Sequence, residues 1–192
     1  MRNGDAAAER YKLNRNSMSY FIRKAEFGDV PHLKELLDDY MRETYDSVWA
    51  GTAERLESDG FGREFEMLIA ENSSKKAIGF IAWNKTYDLH HCLKGGTVID
   101  FYIAPRNRGR GAGLLLVVGA TAEIQKSGGA FLHGGAVENK IVRRFYNRIA
   151  MSFSNGECYV SGRAFRHLAG LSGKSIREII KNLPKTEWNY QP

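Results

Sequence analysis

The chain has 192 residues, 28 Lys and Arg against 22 Asp and Glu, and a formal net charge of +6. Its length suits one compact domain, and 43% hydrophobic with 26% charged residues excludes a wholly disordered chain. No run approaches the ~20 apolar residues of a membrane helix, and Cys92 and Cys158, distant and without a C-x-x-C partner, make neither a zinc site nor a disulfide framework.

Residues 1–18 are polar and charged without apolar periodicity. They read as a flexible leader with no signal-peptide stretch, and Met18 is a candidate start. The expected compartment is the reducing cytoplasm. Residues 20–23 read as a strand. Asp29, as a capping acceptor, and Pro31 open a helix over 30–46, with Leu33, Leu36, Leu37, Tyr40 and Met41 at helical spacing. A shorter helix starts near Thr52 and stops before Gly60 and Gly62. Residues 67–70 and 77–87 read as a hairpin of strands, and 88–96 as a loop. The clearest strand is 97–103, stopped by Pro105. A helix follows over 114–126, ended by Gly128 and Gly129, then a strand over 130–137. Asn139 can cap a helix running to about Ala150. A strand over 157–161 and a helix over 175–182 complete the order. The pattern predicts an α/β or α+β sandwich with a mixed sheet.

Ten of the 20 glycines fall between Gly95 and Gly135. Among them Gly109, Gly111 and Gly113 lie between the clearest strand and an apolar helix. Glycines there let the backbone turn tightly and expose its amides. The helix start adds unpaired N–H groups and a positive dipole end, and Arg108 and Arg110 add charge. Together they predict an anion site suited to a phosphate or pyrophosphate. A P-loop would need a Lys-Ser or Lys-Thr after the turn, and a dinucleotide fold a different glycine spacing; the chain has neither.

The run from Ile103 to Gly113, with its core Arg108-x-x-Gly111-x-Gly113, resembles motif A of the GCN5-related N-acetyltransferases (GNAT). Asn139 and Tyr146 follow at suitable spacing, and the resemblance covers about residues 19–170. It implies a mixed, mostly antiparallel central sheet flanked by helices, a leader over 1–18, an acetyltransferase domain over 19–170 and a helical extension over 171–192. It also implies acetyl-CoA as co-substrate and no metal. Amides of Arg108, Gly109, Arg110, Gly111, Ala112, Gly113 and Leu114 would hold its pyrophosphate. Main-chain groups of Phe101 and Ile103 would pair with the pantetheine arm, and Asn139 would contact it. Tyr146 would protonate the leaving thiolate, as a tyrosine on an adjacent helix can; read without the family, it is a half-buried aromatic beside Phe145. The family's ending Y-x-x-x-G-F is changed here, with Ala150 and Met151 at its last two places.

Residues 29–71 carry 12 acids against four bases, and residues 104–148 eight bases against two acids. The basic half suits a polyanionic co-substrate. In the family the first two helices border the acceptor, and acidic helices there favour a small cationic amine; two solvated faces are the plainer account. Residues 57–62, 79–80, 86–88 and 100–101 more weakly resemble diamine and polyamine acetyltransferases, which carry a Glu where Ile99 stands. Asp100 is the nearest candidate to accept the amine's proton, with a structural strand acid as the other account; Glu138 comes next. His90 and His91 read as a solvated loop pair and His133 as a core histidine. The expected activity is acetyl transfer to a small primary amine. Protein or aminoacyl-tRNA amines and a non-catalytic acyl-CoA sensor are the alternatives. No aromatic and basic stacking stripe speaks for nucleic acid. The C-terminal segment either caps the sheet or docks on a second subunit, which leaves a homodimer open.

Overall fold

The computed structural model describes residues 20–135, 140–153 and 156–189. Its strands are β1 (Phe21–Lys24), β2 (Glu66–Glu71), β3 (Ala77–Asp88), β4 (Leu93–Ile103), β5 (Phe131–Gly135), β6 (Met151–Ser152) and β7 (Glu157–Ser161). Its helices are α1 (Val30–Tyr45), α2 (Ala53–Asp59), α3 (Ala112–Lys126), α4 (Lys140–Tyr146), α5 (Gly162–Ala169) and α6 (Ile176–Lys181). The strands form one sheet in the order β1-β2-β3-β4-β5-β7-β6. Every neighbouring pair is antiparallel except β4 and β5. The expected mixed, mostly antiparallel sheet flanked by helices is therefore present.

Alternation along each strand divides the core in two. One face buries Ile22, Leu68, Ile81, Trp83 and Leu132 against α3 and α5. The other buries Met67, Ile69, Phe80 and Tyr102 against α1 and α2. Helix α3 is buried almost all round, from Leu114 through Ala122, as expected of a helix packed between a sheet and a second helix. A Cβ at Gly119 would lie 2.9 Å from Leu68 Cδ1, so this glycine lets α3 approach the sheet closely.

Two expected boundaries move, and one helix is new. The loop expected over 88–96 is only four residues, because β4 begins at Leu93. Gly95 and Gly96 serve packing there: Cβ atoms on them would lie 2.5 Å from the Phe131 ring and 2.6 Å from Ile124. The helix expected to reach Ala150 stops at Tyr146, where turn hydrogen bonds from Ile149 and Ala150 to the Tyr146 carbonyl fold the chain back toward β6. Helix α5 was not expected; Gly162 and Gly170 bound an eight-residue segment whose Ala164, Phe165, Leu168 and Ala169 are buried. Residues 171–189 pack on the same body. Ile179 is fully buried, Arg163 stacks on Trp188 at 4.2 Å, and Asn189 Oδ1 accepts from the Ser161 amide.

Asp29 does not cap α1 through its side chain. Its two oxygens instead accept from the Arg23 guanidinium at 2.7 Å each, and Arg23 also reaches Glu71 at 2.6 Å. Burial pushes the Asp29 carboxyl up, but hydrogen bonds from Arg23 and the Glu26 amide outweigh it and hold it below 3.8. A lowered folded-state value means stability that is present above the ordinary carboxyl range and is lost as pH falls through the folded one. Asp29→Asn should therefore cost about 3 kcal/mol in urea denaturation at pH 7, and the difference from wild type should shrink at pH 3.

Candidate functional site

The site follows from how unevenly β4 is paired. It pairs with β3 from Leu93 to Ile103, but with β5 only at Gly96–Leu132 and Thr97–His133. Beyond that rung β4 and β5 are no longer hydrogen-bonded, and among the described residues no strand covers that edge of β4. The Ala104 amide donates to Ile78 on the β3 side. By strand alternation, the main-chain groups of Phe101 and Ile103 then point toward the uncovered edge. The pairing register also slips between Ala82 and Trp83, which leaves Ile99 as a bulge residue 46% exposed.

The glycine turn closes this edge. After a short 3-10 turn, Pro105–Asn107, the chain passes Gly109 at φ 71° and Gly111 at φ 95°, both left-handed, before α3 begins. Nothing lies within 4 Å of a Cβ on Gly109. The first α3 hydrogen bond runs from the Leu115 amide to the Gly111 carbonyl, 3.1 Å. The amides of Ala112, Gly113 and Leu114 therefore have no partner within the helix. A Cβ at Gly113 would press on the Phe101 ring at 3.1 Å, and one at Gly111 would lie 2.6 Å from Ile176 of α6. Open space at Gly109 and unpaired amides fit a phosphate-bearing group at this turn.

The sequence reading gave the charge of Arg108 to the anion site, but the structure commits the residue to an ion pair. Its guanidinium pairs with Glu43 of α1 through two bonds of 2.6 and 2.7 Å, and its Nε donates to the Ile103 carbonyl at 2.7 Å. It also lies 5.4 Å over the Tyr102 ring. The paired guanidinium holds the Glu43 carboxyl below its ordinary range. No sequence spacing announces a partner 65 residues away. Of the two main-chain stations on the β4 edge, Ile103 thus offers its amide alone, and Phe101 offers both groups.

Tyr146 and Asp100 stand on opposite faces of the sheet. Tyr146 ends α4, with Phe145 between it and Phe101: Phe145 lies 5.4 Å from the Tyr146 ring and 6.4 Å from Phe101. Burial, with Cys158 of β7 nearby, raises the phenol above its ordinary range. Asp100 pairs in register with Ala82 of the α1-side core, so it faces α1. There the Tyr40 phenol, pushed up by burial and by Tyr45 and Asp100, lies beside it. His91 is tied to Asp88 through Nδ1 at 2.8 Å, and Tyr159 donates to the same oxygen at 2.8 Å. His91 and Tyr159 hold the Asp88 carboxyl down at about 2. His133, expected in the core, is partly exposed. Asn139 and Glu138 lie outside the described residues. No cluster of three metal-ligating side chains occurs among the described residues, and no helix there is long and apolar enough to cross a membrane.

Residues 30–151 match the acetyltransferase (GNAT) family. No curated protein matches the sequence. Among solved structures, the chain resembles a ribosomal-protein-alanine N-acetyltransferase from Brucella melitensis biovar Abortus 2308, with 19% identity over 70% of this chain and 93% of that one, TM-score 0.58. It also resembles the PaiA N-acetyltransferase of Thermoplasma acidophilum in complex with coenzyme A, with 18% identity over 74% and 97%, TM-score 0.55. A third match is the GCN5-related glucosamine N-acetyltransferase region of a fungal multi-domain GH3 beta-N-acetylglucosaminidase, 14% identical over 68% of this chain, TM-score 0.51. The chain spans 16% of that fungal protein. At these identities the likeness is one of fold.

Gly111 carries two constraints at once, a left-handed backbone and the Ile176 contact. Gly111→Ala should cost about 1–3 kcal/mol in urea denaturation, and Ile176→Ala in the same chain should recover the steric part of that loss.

Proposed function

The chain belongs to the acetyltransferase (GNAT) family, and we propose that it moves the acetyl group of acetyl-CoA directly onto the primary amine of a small cationic molecule. Membership makes it an acetyl-CoA-dependent N-acetyltransferase; the acceptor class and the residue roles are our reading. The observation that carries it is the uncovered β4 edge ending in a glycine turn at the start of α3. In this reading the amides of residues 109–114 hold the pyrophosphate, with Arg110 adding charge; the Arg108 amide, expected to join them, is bonded to the Pro105 carbonyl. The main chain of Phe101 and the amide of Ile103 pair with the pantetheine arm, and Asn139 contacts it from the segment after β5.

Acetyl-CoA supplies an acetyl group already activated as a thioester. The chain supplies position and protons. Tyr146 keeps its proton at neutral pH, since its burial disfavours the phenolate. It then donates that proton as the thiolate leaves. Phe101 and Phe145 keep water from that side. On the α1 face, Asp100 and the acidic α1 and α2 draw an ammonium group toward the thioester. The fungal region named a glucosamine N-acetyltransferase is one small-amine precedent on this fold; the Brucella enzyme is named for a protein alanine.

Acetyl-CoA at ~100 times its Kd should add about 2.7 kcal/mol of stability, a rise of roughly 5–10 °C in Tm for a chain of this size. Arg110→Glu leaves the glycines intact; a tenfold weaker Kd would cut the rise to about half. No rise in a folded wild type would overturn the reading. Tyr146→Phe should lower kcat by about 100-fold or more while leaving the acetyl-CoA thermal shift unchanged. A wild type that binds acetyl-CoA and acetylates no amine in a broad panel would instead be an acyl-CoA sensor.

A further inference from the structure

We infer that His133 is the base that takes the proton from the acceptor ammonium, with Glu157 positioning its ring. The inference rests on the acetyl-transfer reading and adds to it the residue that makes the amine a nucleophile. An ammonium has no lone pair, so it must lose a proton before it can attack a thioester. A carboxylate such as Asp100 binds an ammonium well and is a weak base toward it. An imidazole, which ordinarily titrates near 6.5, is better matched to proton transfer near neutrality.

Position comes first. His133 occupies the last rung that joins β4 to β5, opposite Thr97, at the vertex where the uncovered edge begins. Leu132 beside it is buried in the α3-side core, so alternation turns His133 to the α1 face, the face of Asp100. An arm laid along β4 from the glycine turn ends at this vertex. The two residues after His133 are Gly134 and Gly135; a Cβ on Gly134 would meet Val98 at 3.1 Å, while Gly135 has nothing within 4 Å. The backbone past the histidine therefore adds no bulk where the strands part.

The surroundings suit a base. The His133 side chain is 29% exposed, and its Nε2 lies 3.7 Å from Glu157 Oε1 on β7. With Nε2 turned to that carboxylate, Nδ1 is the ring nitrogen left to face an acceptor. The carboxylate also steadies the imidazolium that forms. The Tyr159 ring, 6.1 Å from the imidazole and itself stacked on Phe131 at 5.1 Å, walls one side. Among the described residues, the charged and titratable groups beside the His133 ring are Glu157 and Tyr159 from β7, with Asp88 at the end of β3 bonded to both His91 and Tyr159. Asp100, Tyr102, Tyr40 and the Glu43–Arg108 pair lie further along the same face. Of the other histidines, His91 is held by Asp88, His32 lies on α1, His90 in the β3–β4 connection, and His167 on α5, bonded to the Asn182 carbonyl.

The proton balance closes. The ammonium gives one proton to His133 Nδ1, and the freed lone pair forms the C–N bond at the thioester carbon. As the C–S bond breaks, its electron pair goes to sulfur, and sulfur takes the Tyr146 proton. The new amide nitrogen sheds a second proton, which returns to Tyr146 through solvent. His133 releases its proton to bulk water, so each turnover yields one amide, one thiol and one proton.

The test follows thiol release with two amines, 1,4-diaminobutane and 2,2,2-trifluoroethylamine, the second already neutral at pH 7. His133→Gln should lose about 100-fold in kcat/KM on the diamine at pH 7, recover much of it at alkaline pH, and stay within a few-fold of wild type on the neutral amine. Glu157→Gln should show the same selectivity with a smaller loss. Acetyl-CoA should raise Tm equally in all three proteins, which excludes a folding or co-substrate defect. Independently of turnover, the His133 ring NMR signals should move when diaminobutane is added to the CoA-bound protein. Equal losses on both amines, no loss on either, or unmoved ring signals would each overturn the inference. Failure of the parent reading shows separately, as a wild type that acetylates neither amine or is not stabilised by acetyl-CoA.

Discussion

Strand β4 must satisfy two neighbours that ask different things of it. Its β3 side is paired along the whole strand, which fixes the register of everything from Leu93 to Ile103. Its other side is paired for two rungs and then released. A buried backbone edge left without partners would be costly, so the uncovered stretch persists only where it can be hydrogen-bonded by something other than strand. Arg108 supplies one such partner internally, through its Nε bond to the Ile103 carbonyl. The remaining groups are the ones a bound chain can take. Much else in the molecule, including the glycine turn, the burial of α3 and the separation of functional groups onto two faces, follows from this partial pairing.

Separation onto two faces divides the chemistry. The α3 side, with Phe101, Phe145 and Tyr146, is apolar and suits a leaving group that must be kept from water until protonated. The α1 side carries carboxylates, phenols and an imidazole and suits a charged acceptor. The Glu43–Arg108 pair ties the two halves, because it locks the last turn of α1 onto the residue that opens the glycine turn. Its members are about 40% exposed, so its value lies in bidentate geometry rather than in a large gain in stability.

Local chemistry made part of this legible in the sequence. The strand over 97–103 and the left-handed turn at Gly109 and Gly111 sit where the sequence puts them, while Gly113 is needed for the space the Phe101 ring takes. Gly95 and Gly96 look the same on paper yet serve the opposite purpose, since rings and methyls from β5, α3 and β3 press on them inside a strand. Composition cannot separate a glycine that turns from one that yields space. His133 was hard to place for a related reason: β5 has only five residues, two of them glycine, too few to show an alternation. The Arg108–Glu43 and Arg23–Glu71 pairs join residues dozens of positions apart, and local periodicity carries no trace of such pairs.

The wall of the glycine turn arrives late in synthesis. Gly111 is backed by Ile176, 65 residues further along, so a growing chain holds the whole glycine turn well before it holds the helix that braces it. Domains fold as units while the chain emerges, and for this one the glycine turn lacks its Ile176 contact until α6 has docked. The C-terminal helix thus serves as a checkpoint on assembly: a chain cut short of it could still build most of the sheet, but its motif would lack a floor.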